Sequence, residues 1–83
     1  MSKIEMYSAN WCSDCRRSKS LLDTLGVDYE LFDVEQSKEN ADKSQAISGK
    51  TSIPVIRFED GKFLVEPSDA TLHAELKVRG IID

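Results

Sequence analysis

Apolar and polar residues change period several times along this chain, and the changes mark its elements. Residues 3–7 alternate, with Ile4 and Met6 set against Lys3 and Glu5, which predicts a first strand. "SANW" breaks the alternation. From Ser13 onward Cys15, Ser18, Leu22 and Leu25 fall on one helical face with Leu21 beside them, and Gly26 is the stop. "VDYELFDV", rich in β-branched and aromatic residues, predicts a second strand. "EQSKENADKSQAIS" is polar, with only Ala41, Ala46 and Ile47 to bury, and predicts a thin, mostly exposed helix ended by Gly49. "SIPVIRF" and "KFLVE" are a third and a fourth strand joined by the turn "EDG". Pro67 and Ser68 open a last helix from Asp69 to about Arg79 that buries Leu72 and Leu76. Gly80 ends it, and Ile81 and Ile82 pack back on the core.

The predicted order is β-α-β-α-β-β-α. A right-handed β-α-β unit makes the first two strands parallel, and the final hairpin is antiparallel. One mixed four-stranded sheet with helices on both faces satisfies every burial demand of an α/β chain this short. Pro54 fits at the start of its strand without breaking a ladder. Nothing in the pattern suggests a linker or a repeat, so residues 1–83 read as a single domain.

Composition narrows the function. The net charge of −4 argues against nucleic acid or an acidic membrane as the main partner. No apolar run is long enough to span a membrane, and "MSKIEMY" lacks the pattern of a secretory signal, so the expected location is the cytoplasm. Two cysteines in a reducing compartment are too few for a stapled scaffold, and a disulfide between them closes too small a loop to stabilise much.

Cys12 and Cys15 are therefore the chemistry-bearing residues, and three readings compete. A structural metal site wants four Cys or His ligands. Only His73 is available besides the two cysteines, and it lies beside the buried face of the last helix, where an exposed position is expected. No metal ligand set is assigned. A redox pair fits better: a lone Cys-x-x-Cys between a strand and a helix is a dithiol signature. With Cys12 at the helix N-cap, free backbone N–H groups and the positive dipole end favour a thiolate, the attacking species. Cys15, one turn inside and partly buried, is placed to resolve a mixed disulfide on Cys12. Asp14 opposes the thiolate by like charge while Arg16 and Arg17 favour it. Ser13 and Asp14 also suit a helical first turn for purely structural reasons. The third reading keeps the fold as a binding or adaptor module with incidental cysteines, or as a metal carrier using the pair.

"Trp11-Cys12-Ser13-Asp14-Cys15", "Ser52-Ile53-Pro54" and "Asp60-Gly61-Lys62" together resemble the sequential landmarks of the glutaredoxin branch of the thioredoxin superfamily. Within it, "Trp-Cys-x-x-Cys" with "Phe-Leu-x-x-Pro-Ser" is most similar to the short mycoredoxin-like redoxins. The resemblance covers essentially the whole chain and implies a sheet in the order 2-1-3-4. It implies a cis Ile53–Pro54 bond facing the dithiol, with substrate pairing its backbone to Ile53. It implies a thiol–disulfide oxidoreductase that holds no permanent cofactor, is a monomer, acts on disulfide-containing proteins, and is re-reduced by glutathione, mycothiol or a thioredoxin reductase. Two departures stand out. Ser13-Asp14 replaces the usual Pro-Tyr. The glycine pair that usually closes the fourth strand is missing, and Glu66 brings negative charge there. Ser68 and Asp69 still offer a helix N-terminus and a side chain for an amino group, and Arg17 and Lys50 either bind a thiol or solvate the surface.

Around the dithiol, Trp11 is the expected substrate-facing wall, with Tyr7 and Phe63 as further candidates or plain packing. Glu5 and Arg57 fall in neighbouring central strands. They read as an ion pair under the second helix or, alternatively, Glu5 as a proton acceptor for Cys15.

Overall fold

In the computed structural model, which describes residues 4–83, seven elements follow in the predicted order. They are β1 (Glu5–Ser8), α1 (Ser13–Thr24), β2 (Glu30–Asp33), α2 (Lys38–Ser48), β3 (Val55–Arg57), β4 (Phe63–Val65) and α3 (Asp69–Val78). Lys3, predicted to begin the first strand, lies outside the described residues. The sheet order is β2-β1-β3-β4. β1 runs parallel to β2, and β3 is antiparallel to both β1 and β4.

Each strand is shorter than its hydrophobic run, for reasons of hydrogen bonding. Pairing of β2 begins where the Glu30 N–H reaches the Ile4 carbonyl at 2.8 Å. Val27, in the same apolar run, is instead spent on closing α1. Before β3, Pro54 has no N–H to give a ladder, and Ser52 and Ile53 stay outside the strand; the Ile53–Pro54 bond is cis. The Phe58 N–H bonds the Lys62 carbonyl at 2.8 Å and closes a hairpin whose loop is Glu59-Asp60-Gly61. Gly61 takes the left-handed position at φ 89°, as a three-residue hairpin loop requires. β4 stops before Glu66, which turns to φ 48°.

The helices end where the glycines predict. In α1 the Val27 N–H bonds the Leu22 carbonyl and the Gly26 N–H bonds that of Asp23, at 3.0 and 3.1 Å. The same double closure ends α3, from Ile81 to Leu76 and from Gly80 to Lys77. Arg79, expected as the last helical residue, is the C-cap.

The two faces of the sheet are filled differently. Ile4, Met6, Ile56 and Phe58 point towards α1 and α3, where they meet Cys12, Cys15, Leu22, Leu72 and Leu76 in one core. Ile82 packs back on that core, whereas Ile81 is exposed. On the other face α2 lies alone. Its buried residue is Ser44, with Ala41 and Ile47 half-buried. Ala46, expected inside, is exposed because it falls off the stripe that Ala41, Ser44 and Ile47 define.

One core position violates polar satisfaction. The Ser18 hydroxyl is fully buried on α1 and has no hydrogen-bond partner. An unpaired buried hydroxyl costs about 1–3 kcal/mol, and alanine is also the better helix former. Ser18→Ala is expected to stabilise the protein by about 1 kcal/mol, a rise of roughly 4–8 °C in midpoint for a domain of this size. Thermal unfolding followed by circular dichroism checks this, and a lowered midpoint would mean that the hydroxyl has a partner.

Candidate active site

The first N–H groups of a helix have no partner within it. At α1 a cysteine supplies one. Cys12 is the N-cap, in extended conformation with φ −84° and ψ 115°, and its sulfur accepts the Cys15 N–H at 3.2 Å. The chain is brought to this position by β1 and by the bond of the Cys12 N–H to the Ala9 carbonyl at 3.2 Å. An N–H aimed at sulfur is a charge-assisted bond when the sulfur is a thiolate. On its other side, Cys12 Sγ lies 3.9 Å from the Ile53 carbonyl, which accepts from the thiol in its protonated form. The cis bond after Ile53 thus faces the dithiol.

Cys15 is placed oppositely. It lies inside the core with 2% of its surface exposed. Burial, and then its hydrogen bond to Cys12, push the Cys15 thiol up to about 12. Its proton is held at neutral pH, so the pair is asymmetric: one sulfur at a capped helix start, one protonated below it.

Cys12 opens on a groove of about 380 Å³ lined by Trp11, Ser13, Asp14, Thr51, Ser52, Ile53 and Glu66. Of the residues predicted for the site, Trp11, Ser13, Asp14 and Ile53 therefore line it, and Pro54 is buried behind Ile53. The Trp11 ring is 67% exposed, yet its indole N–H is fixed on the Glu35 carboxylate at 3.0 Å. Asp14 pairs with Arg17 at 3.1 Å. Arg17 also donates to the Pro67 carbonyl at 3.2 Å and lies 3.7 Å from the Asp69 carboxylate. Ser68 caps α3 through the Thr71 N–H at 3.1 Å. Arg17 thus clamps α1 to the start of α3 through Asp69 and the Pro67 carbonyl, while Ser68 between them serves α3 alone.

Three sequence-based candidates fall elsewhere. Tyr7 stacks on Phe32 with ring centroids 5.0 Å apart, on the α2 face of the sheet. Its hydroxyl donates to Glu5 at 3.1 Å, and burial and that bond push it up to about 12. Phe63 pairs with Arg57 in register, at the end of the sheet away from Cys12. Glu5 receives Arg57 at 3.4 Å and lines a hollow with Lys43, Ala46 and Ile47 of α2. The ion pair beneath α2 is thus present, and a proton route from Cys15 to Glu5 is blocked by the sheet. Strand alternation alone places Glu5 and Tyr7 opposite Met6. His73 is exposed on α3, and among the described residues no three His, Cys, Asp or Glu side chains gather as a metal site. Nor, among those residues, is any helix long and apolar enough to cross a membrane.

Thr51 is a groove residue that the pattern did not single out, although it immediately precedes the Ser52-Ile53-Pro54 landmark, which is a usable signal. Glu35, the partner of the Trp11 indole, carries no signal, because only the fold brings it there.

A model of the glutaredoxin family matches residues 4–64. Mycoredoxin 1 of Corynebacterium glutamicum is 31% identical over 78 residues, covering 93% of this chain and 96% of that protein. Glutaredoxin 3 of Escherichia coli is 30% identical over 83 residues, covering 100% of this chain and 95% of its own. The crystal structure of a glutaredoxin from Archaeoglobus fulgidus superposes with a TM-score of 0.78 at 28% identity, over 89% of this chain and 85% of that one.

The asymmetry of the pair has a direct readout. Under iodoacetamide at neutral pH the reduced protein is expected to take one adduct, on Cys12, because only that sulfur opens on the groove and Cys15 keeps its proton. Peptide mapping by mass spectrometry checks it; prior or equal labelling of Cys15 contradicts the assignment.

Proposed function

Because this chain belongs to the glutaredoxin family of thiol–disulfide oxidoreductases, we propose that Cys12 is its nucleophile and Cys15 its resolving residue in the reduction of protein disulfides and mixed disulfides. The observation that carries this reading is the capped sulfur: Cys12 Sγ at the start of α1 takes the Cys15 N–H at 3.2 Å, and Cys12, itself 8% exposed, lines a groove that Cys15, deeper in the core, does not reach.

The cycle runs as two exchanges. The Cys12 thiolate attacks one sulfur of the substrate disulfide; a Cys12–substrate bond forms and the other substrate sulfur leaves as a thiolate. Cys15 then yields its proton to the departing thiolate or to water and attacks Cys12 Sγ. The mixed disulfide breaks, the Cys12–Cys15 disulfide forms, and two electrons have passed to the substrate. During attack the Ile53 backbone lies beside the reacting sulfur, where an extended substrate segment pairs with it. Return to the dithiol needs two electrons from glutathione, mycothiol or a thioredoxin reductase. The working location is the cytoplasm, where such reductants keep dithiols reduced.

Cys12→Ser is expected to abolish disulfide reduction, since no nucleophile remains. Cys15→Ser is expected to accumulate mixed disulfides on Cys12, visible as adducts on non-reducing gels and by mass spectrometry. Adducts trapped on Cys15 in the Cys12→Ser protein would reverse the two roles.

The reductant is separated by a coupled assay in which NADPH oxidation is followed with thioredoxin reductase, with glutathione and its reductase, and with mycothiol and its reductase. One system is expected to sustain turnover at a rate at least about tenfold above the other two, a preference of roughly 1.4 kcal/mol.

A further inference from the structure

The proposed nucleophile sits in a groove whose charge is one-sided. Two of its lining residues are carboxylates, Asp14 and Glu66, and none is a cation. The two carboxylates differ. Asp14 is neutralised by Arg17 at 3.1 Å. Glu66 is exposed and has no ion pair among the described residues. The nearest basic side chains serve elsewhere or stand outside: Arg17 is held by Asp14, Pro67 and Asp69. Lys50 lines the neighbouring hollow with Thr51 and Ile53, and Arg16 is exposed on α1 without lining the groove.

Glu66 is also held in place. Its N–H donates to the Pro54 carbonyl at 2.9 Å, which ties it to the segment that carries Ile53. Its backbone is left-handed at φ 48°, a conformation that favours glycine and that comes here just before a proline. The backbone is thereby fixed, and the side chain projects from a set point of the groove that Ile53 also lines. The same groove carries the exposed indole of Trp11, whose orientation is fixed by Glu35. An indole face attracts cations more strongly than any other side-chain ring.

We infer that Glu66 is a specificity-determining residue. With Trp11 it selects disulfide substrates that carry a lysine or arginine next to the reacting cysteine, and it disfavours those flanked by carboxylates. The inference rests on Cys12 being the attacking sulfur. The exchange is the one already described; Glu66 changes which substrate reaches it, by placing an unpaired negative charge where the substrate's flanking side chain comes to lie.

The test uses the whole reduced protein and three synthetic peptides. Each has a single cysteine in mixed disulfide with 2-mercaptoethanol, flanked by lysines, by glutamines or by glutamates. Rates of the first exchange are measured by stopped flow. Reduction of the glutamine peptide reports on the underlying chemistry: if it fails, the nucleophile assignment fails. If it proceeds, the ratio of lysine-peptide to glutamate-peptide rates tests this inference alone. The Cys12 thiolate itself favours a cationic substrate, so the decisive quantity is the change of the ratio with residue 66. Glu66→Gln, which keeps size and backbone demand, is expected to lower the ratio by roughly fivefold at low salt, the size of one close exposed charge pair. Glu66→Lys is expected to lower it further. In the native protein the preference is expected to shrink as ionic strength rises towards 1 M. A ratio that is the same in native, Gln and Lys proteins, with circular dichroism reporting all three folded, overturns the inference. So does a native preference for the glutamate peptide.

Discussion

A helix beginning at the C-terminal edge of a sheet must find acceptors for its first N–H groups, and in this protein the acceptor is a cysteine sulfur. Most other features follow from keeping that sulfur where it is. β1 has to deliver the chain in extended conformation, with the Cys12 N–H on the Ala9 carbonyl. Cys15, Ser18 and Leu22 have to seat α1 on the sheet. The segment before β3 has to turn short of the ladder so that the Ile53 carbonyl comes to the far side of the sulfur. A cap made by a neutral thiol is weaker than one made by a hydroxyl oxygen, which is the choice at Ser37 for α2 and at Ser68 for α3. The exception falls at the helix whose start carries the chemistry.

The sheet separates two environments. Its α1/α3 face holds the apolar core and Cys15, the proposed resolving residue, so that thiol keeps its proton through loss of hydration. Its α2 face tolerates Tyr7, Glu5 and Arg57 in a mixed polar and aromatic cluster under a thin helix. Alternation along β1 puts Met6 on one side and its neighbours on the other, and the carboxylate is on the wrong side to exchange a proton with the dithiol. Resolution of a mixed disulfide therefore has to dispose of its proton through the leaving thiolate or through water.

Charge around the groove is arranged by the tertiary clamp rather than by local sequence. Arg17 stands two residues from Cys15, and from its position alone it would supply positive charge to the site. Folding brings Asp69 and the Pro67 carbonyl to it, and Asp14 is its neighbour one turn back. The guanidinium then joins two helices, while Glu66, on the wall of the groove, has no ion pair among the described residues.

Much of this protein can be derived from its sequence because its elements are specified locally. Period-two and helical patterning, together with Gly26, Gly49, Gly61 and Gly80 at their left-handed positions, determine the element order. The right-handed crossover rule then leaves little choice for β1 and β2. The spacing of Cys12 and Cys15 at a helix start points to dithiol chemistry by itself, because one turn of helix brings the two sulfurs together. Strand lengths were decided by the partners available: Val27 closes a helix, Phe58 closes a hairpin and Glu66 turns away, although all three continue an extended run. The surroundings of the dithiol were decided in the same way. Glu35 reaches Trp11 across 24 residues, and Glu66 reaches Pro54 only once β3 and β4 pair. Contacts between distant segments depend on register and on sheet face, which a single sequence encodes only through the folded whole.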